Sequence, residues 1–327
     1  MAAAAVGATL AGDHVLVADV AQAARLHQKS AVGDPQPDGS LRLALAEAAW
    51  LCTQGRLEVP GGAAALLARG ASRGNRTEVA FLVYGDLRSR GLVARPEGRG
   101  FRVWPRGEGP PAAPAYDVQV AAEADLVDGQ ALLALVRSRG VLAVVDSDGG
   151  ITHYQVEPEA PAGTMPVTRL PHATGVPLAE RVLVADPEAA RAYAKQEFLG
   201  TPSPAGLVLS LTEAVALARR GALDVPGIEA RAAGLPALPA YMALRDAGVV
   251  VKSGFRFGTH LRGYEGDPEA GHALWLIHCL APGGEMHWSE MSRAIRLAHG
   301  VRKRFLVAVP GPSGSAPTFV GLAWFKP

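Results

Sequence analysis

VKSGFRFGTHLRGYEGDPEAGHALWLIHCLAPGGEMHWSEMSRAIRLAHGVRKRFLVAVP, residues 251–310, is the stretch whose reading decides the fold. Val249 to Lys252 is a short β-branched run stopped by Ser253-Gly254, and Phe255 to Phe257 is expected to pair back across that turn. Leu261 to Tyr264 reads as a further strand ending in the polar loop Glu265 to Gly271. Ala273 to Leu280 then reads as a buried strand with His272 at its mouth. Ser289 to Ala298 has helical spacing, with Met291, Ile295 and Ala298 on one face and Arg293 and Arg296 on another. Gly300, tolerant of positive φ, is expected to stop that helix, and Lys303 to sit on the lip of the apolar strand Phe305 to Val309. Tyr264, His272 and Lys303 thus fall at strand mouths and loops, where sites are usually built.

Moving outward, the chain repeats itself. VLVADVAQAARLHQKSAVGDPQPDGSLRLALAEAAWLCTQGRLEVPG (Val15 to Gly61) returns as VLVADPEAARAYAKQEFLGTPSPAGLVLSLTEAVALARRGALDVPG (Val182 to Gly227). VYGDLRSRGLVARPEG (Val83 to Gly98) is echoed by AYMALRDAGVVVKSG (Ala240 to Gly254). A period of roughly 165 residues is too long for a solenoid and means two homologous halves. Each half reads as strand, helix, helix, then a third helix (Thr77 to Arg90, Ala237 to Ala247) before a β-rich part. Ser210-Leu-Thr-Glu213 has capping-box form, and Gly55 and Gly221 end the second helices. Pro96 to Pro114 reads as an internal loop and Pro158 to Thr174 as the linker between halves. The expected class is α/β (α+β), as two tandem repeats of a helix/strand subdomain followed by a mixed-sheet subdomain. Residues 1–163 form the first repeat, with subdomains at about 1–75 and 76–157; residues 164–327 form the second, at about 175–234 and 235–327.

A chain of 327 residues is comfortable for such a plan, since each part can bury a core. Hydrophobic residues are 49% and charged residues 19%, which excludes a mainly disordered protein. With a formal net charge of +1, no global field advertises a polyanion, so any nucleic-acid site must rest on local clusters such as Arg302-Lys303-Arg304. Two cysteines far apart, Cys52 and Cys279, read as reduced core thiols, and no CxxC, HxH, HExxH or paired-carboxylate pattern points to a metal. No cofactor is expected. The apolar start lacks a basic n-region and is interrupted by Gly7, Gly12, Asp13 and His14, and no later segment reaches span length. The expectation is a cytoplasmic protein without a membrane partner.

Residues 252–303 resemble the catalytic domain of the archaeal tRNA-intron splicing endonucleases. The resemblance rests on KSGFRFGTHLRGY (Lys252 to Tyr264), HALWLIH (His272 to His278) and WSEMSRAIRLAHGVRK (Trp288 to Lys303), three blocks in compatible order. It implies a tyrosine, a histidine and a lysine that cut RNA without metal, matching Tyr264, His272 and Lys303. It also implies precursor tRNA with a bulge-helix-bulge as substrate, and a homodimer of long, internally duplicated subunits. Arg296 matches an arginine that sandwiches a bulged base, and a planar guanidinium suits stacking. Arg293 and Arg302 join it as expected RNA contacts, while the family's later basic position has no clear counterpart in Gly311 to Trp324. The loop Asp146-Ser-Asp148-Gly-Gly150 matches an acidic loop that docks on the neighbouring subunit; the same residues also suit an ordinary hairpin turn.

The implied chemistry needs a base for the 2′-hydroxyl, an acid for the leaving 5′-oxygen and positive charge on the phosphate, leaving a 2′,3′-cyclic phosphate and a 5′-hydroxyl. Histidine, with an intrinsic pKa of about 6.5, suits the acid. A tyrosine phenol, at about 10, is a reluctant base that a nearby lysine would help. Laid over the second half, the first places Trp104 where Tyr264 stands, Ala115 near His272 and Arg139 near Lys303, so it keeps the fold and loses the acid and base. Singly, Tyr264 also reads as a strand residue, His272 as a loop histidine and Lys303 as part of a solvated basic run. His260, His278, His287 and His299 read as structural or RNA-facing. The alternative function is a non-catalytic RNA-binding or assembly subunit that retains the fold.

Overall fold

The structure is a computed structural model that describes residues 5–281, 286–312 and 315–327. The apolar start discussed above opens in residues 1–4, outside the described ones. Ten strands, five from each half, form one sheet. The first half supplies β1 (Val93–Glu97), β2 (Gly100–Trp104), β3 (Tyr116–Ala122), β4 (Val141–Val145) and β5 (Ile151–Glu159). From the second come β6 (Val250–Ser253), β7 (Leu261–Tyr264), β8 (Trp275–Cys279), β9 (Arg304–Val309) and β10 (Thr318–Phe325). Their order is β6-β7-β8-β9-β10-β5-β4-β3-β2-β1, the same sequence of elements read inward from either edge. The halves join through β5 and β10, antiparallel from His153 opposite Phe325 to Glu159 opposite Phe319.

Four helices cover this sheet: α1 (Thr77–Ser89), α2 (Gly129–Arg137), α3 (Leu238–Asp246) and α4 (Trp288–Gly300). The pairs β3–β4 and β8–β9 are parallel, so each needs a crossover, and α2 and α4 supply it. Apolar residues alternate faces along the strands. In β9, Phe305, Val307 and Val309 enter one core with α4, while Leu306 and Ala308 enter another with α3. Burial on both faces explains the unbroken apolar runs VLAVV and FLVAV. Trp288, Met291, Ile295 and Ala298 recur at helical spacing on α4 and pack with Leu132 and Leu135 of α2 in one core shared by the halves. Each such large side chain, fully buried, contributes roughly 1.5–3 kcal/mol. That is enough to hold α4 firmly on the sheet with its arginines outward.

In front of each half lies a small subdomain. Strand His14–Val17 pairs with Leu41–Ala44 as Arg181–Val184 pairs with Gly206–Ser210. Gly33 donates its N–H to buried Glu47 (2.9 Å), and Gly200 donates to Glu213 (3.0 Å). Both glycines have positive φ, and a Cβ on either would meet a leucine side chain at 2.8 Å, so no other residue fits. A cation on the first strand of each five-stranded unit then reaches that glycine's carbonyl: Arg95 at 2.7 Å and Lys252 at 3.5 Å. Among the described residues four other than glycine take positive φ, and they fall as two matched pairs, Ala31 with Phe198 and Arg139 with Arg302. Backbone this uncommon, repeated in register, makes the duplication a structural fact.

Several local expectations need correction. Phe255–Phe257 is a 3₁₀ turn, and β6 pairs instead with β7, Val250 opposite Tyr264. The small subdomains hold an extra strand before the second helix, which starts at Leu45, and a further helix Gly62–Ala71. Pro96 to Pro114 is not one loop, because its first residues complete the β1–β2 hairpin. α4 does end at Gly300, but the left-handed residue that turns the chain is Arg302 (φ 55). The capping box at Ser210 and the positive φ of Gly55 and Gly221 are as expected. Cys52 and Cys279 are free. Among the described residues no helix is long and apolar enough to cross a membrane.

Candidate active site

Tyr264, His272 and Lys303 are brought together around Ala273. Tyr264 ends β7 and is buried against Val250 and Ala273, with Met165 and Phe198 packed on them. Leu274 donates its N–H to Gly263 (2.9 Å), which carries the chain before β8 alongside Tyr264. His272 directly precedes Ala273 and is exposed. Lys303 follows the left-handed turn at Arg302, and its Nζ donates to the Ala273 carbonyl (2.7 Å) while lying 5.9 Å from the centre of the Phe257 ring. The cluster is therefore one buried phenol-bearing ring, one exposed histidine and one tethered lysine at the same end of the sheet.

Matching hydrogen bonds locate the counterparts in the first half. Trp104 stands opposite Val93 as Tyr264 stands opposite Val250. Ala115 donates to Val103 (2.8 Å) as Leu274 donates to Gly263, so Ala113, two residues earlier, occupies the place of His272. Gly140 donates to Leu135 (2.8 Å) as Lys303 donates to Ala298 (2.9 Å), so Gly140 holds the place of Lys303. Arg139 is the counterpart of Arg302, its partner in positive φ, which corrects the sequence alignment by one residue. The first half thus has Trp, Ala and Gly where the second has Tyr, His and Lys.

The four other histidines of residues 251–310 are otherwise engaged. His260 and His278 face each other across β7 and β8 with ring centres 4.4 Å apart, and Cys279 donates its N–H to His260 Nδ1. Burial, with His260 adding to it, pushes His278 down to about 4, far from any role as a proton donor near neutrality. His287 bonds the Ala124 carbonyl (2.7 Å), and His299 stacks on Trp324 with centres 4.5 Å apart. Arg293 and Arg296 are exposed on α4 outside its apolar face, and Arg302 is exposed at the turn. Asp146 and Asp148 sit in the β4–β5 turn, where the Asp146 carboxylate accepts from the N–H groups of Asp148 (3.0 Å) and Gly150 (2.7 Å). Asp146 therefore does hold its own turn. Sequence reasoning missed Phe257 and Arg262. The period of two along THLRGY puts Arg262 on the face of Tyr264 and was the available signal.

Comparison with known families gives the class first. A model described as the tRNA intron endonuclease N-terminal domain matches twice, at residues 6–66 and 173–233. A second, described as the tRNA intron endonuclease catalytic C-terminal domain, matches residues 236–316. The chain is thus a duplicated α/β protein with an endonuclease domain behind its second N-terminal unit. A tRNA-splicing endonuclease of Methanosarcina mazei is 35% identical over 92% of this chain and 94% of its own length. Another, of Natronomonas pharaonis, is 35% identical over 87% of this chain and 90% of its own. One of Hyperthermus butylicus is 34% identical over 45% of this chain but 95% of itself, the size relation that duplication produces. The chain belongs to the tRNA intron endonuclease family.

Proposed function

We propose that the chain is a tRNA-splicing endonuclease that cuts precursor tRNA at bulge-helix-bulge junctions without a metal ion. One observation carries the reading: only the second of two structurally matched halves has Tyr264, His272 and Lys303 gathered at Ala273. Tyr264, as phenolate, takes the proton of the 2′-hydroxyl, whose oxygen attacks the adjacent phosphorus. The bond from phosphorus to the 5′-oxygen breaks, and His272 gives that oxygen a proton. Lys303 faces the charge that gathers on the phosphorane. The products are a 2′,3′-cyclic phosphate and a 5′-hydroxyl.

In this reading residues 1–163 are the structural half and residues 164–327 the catalytic half. One active half serves one bulge, so a symmetric substrate calls for a homodimer. Arg296 stacks on a bulged base, with Arg293 and Arg302 adding backbone contacts. The acidic turn docks on the partner subunit near Arg302 through Asp146 and Asp148; both loop hydrogen bonds of Asp146 go to Oδ1, so Asp148 is the more readily tested contact. The setting is the cytoplasm. The test is incubation of the purified chain with a bulge-helix-bulge RNA in excess EDTA, followed by end-group analysis. Undiminished cleavage with cyclic-phosphate ends is expected. Cleavage that needs added magnesium, or 3′-hydroxyl ends, overturns the mechanism, and tight binding without cleavage leaves a non-catalytic subunit.

A further inference from the structure

The arginine two residues before Tyr264 is present in both halves, and the two copies differ in one respect. Arg102 of β2 is the counterpart of Arg262 of β7, since Trp104 and Tyr264 hold equivalent positions. Arg102 is exposed and pairs with Glu97 through its Nε. In the second half the register puts Gly254 where Glu97 stands, so that carboxylate has been lost. Among the described residues Arg262 has no salt-bridge partner, and its buried Nε has no hydrogen-bond partner. The guanidinium lies 5.6 Å from the centre of the Tyr264 ring, on the same face of the sheet. Its cross-strand neighbour Lys252 is already committed, to the Gly200 carbonyl and to Glu213.

A half-buried guanidinium with nothing anionic to meet is costly to keep unless something supplies the charge. Five N–H donors in a planar fork match phosphate oxygens two at a time. We infer that Arg262 binds a backbone phosphate of the RNA next to the bond being cut, and that its contact with the Tyr264 ring fixes where that phosphate lies relative to the base. The first half closes the same position with Glu97, which is why its arginine contributes no such site. This inference rests on the RNA-cleaving reading above and adds a residue to it.

The test measures binding of a bulge-helix-bulge RNA to the full chain carrying His272→Ala, so that the RNA stays whole, across a range of salt concentrations. Arg262→Gln should weaken binding roughly tenfold, the usual scale for one hydrogen bond to a charged group. It should also lower the slope of log affinity against log salt by about one, the mark of a lost phosphate contact. Arg262→Lys should restore the slope and part of the affinity, whereas Arg102→Gln should change neither. A general loss of structure would not follow charge in this way, and melting curves of all variants check it. Unchanged affinity and slope in Arg262→Gln overturn the inference, as does an Arg262→Lys variant that folds yet behaves like Gln. Failure of the wild-type chain to cleave this RNA would instead count against the proposed function and leave the slope comparison readable.

Discussion

Glu197→Gln should cost the protein about 3 kcal/mol at neutral pH, although the residue lies outside the reacting cluster. The Glu197 side chain is fully buried, with Oε1 accepting from Thr168 N (3.0 Å) and Oγ1 (3.2 Å). Its Oε2 accepts from Arg220 (2.7 Å) and from Arg245 (3.2 Å), the latter only 3% exposed. An amide presents one oxygen and one donor group to a ring of donors: with the oxygen toward the two arginines its NH2 faces the Thr168 N–H, and the buried arginines lose their counter-charge. Breaking a buried pair costs about 3–5 kcal/mol, and the lower end applies because Arg220, 22% exposed, can take on water. For a chain of this size each kcal/mol lowers the melting temperature by about 2 °C, so a drop of about 6 °C is expected by differential scanning fluorimetry. The penalty should depend on pH. Burial alone would raise the Glu197 carboxyl, but Arg220, the Thr168 N–H and Arg245 together outweigh it and hold the carboxyl below its ordinary value. A depressed carboxylate stabilises above its unfolded pKa of about 4.3 and loses that contribution as pH falls through the folded value, so the gap between variant and wild type should close in acid. Ser30 occupies the matching place in the first half, meeting Arg56 and Arg88 with a neutral hydroxyl and a carbonyl. Ser30→Ala should therefore cost much less. A Glu197→Gln melt within 1 °C of wild type, or a gap that widens in acid, would refute the reasoning.

Three further outcomes are expected. His272→Ala should slow cleavage by roughly 10²-fold or more in single-turnover assays, as for loss of a general acid, while Arg139→Ala leaves the rate nearly intact; equal losses would mean the first half is not silent. Burial raises Glu47 to about 7, so its native state prefers the protonated form, and the resulting stability is complete below about pH 4.3 and fades as pH rises through 7. Glu47→Gln keeps an oxygen for Gly33 and should therefore gain on wild type between pH 5 and pH 8 in denaturant titrations; a constant difference would contradict this. Asp148→Asn should weaken the dimer in sedimentation and reduce activity most at low protein concentration, by loss of a charge-assisted contact. A dimer as tight as wild type would return Asp148 to the status of a turn residue.

Much of this protein is determined locally and so can be read from the sequence alone. The strand Leu261–Tyr264, the apolar face of α4 and the capping box at Ser210 follow from periodicity and turn chemistry within a few residues, and the duplication from two stretches of chain that match each other. Long-range partners decide the rest. Phe255 to Phe257 looks like a strand by residue type, yet Gly254 and Gly258 bracket a 3₁₀ turn that brings Phe257 to Lys303. Arg302 and Arg139, not a glycine, take the left-handed turn after their helices, so residue type does not announce where that turn falls. Whether Arg102 or Arg262 is neutralised depends on which residue stands across a strand pair, Glu97 or Gly254, and no local pattern carries that information. The candidate site is a case of both. Its residue types are visible in order along the chain, but Tyr264, His272 and Lys303 meet only because antiparallel β6–β7–β8 and the parallel crossover through α4 return to one carbonyl, that of Ala273.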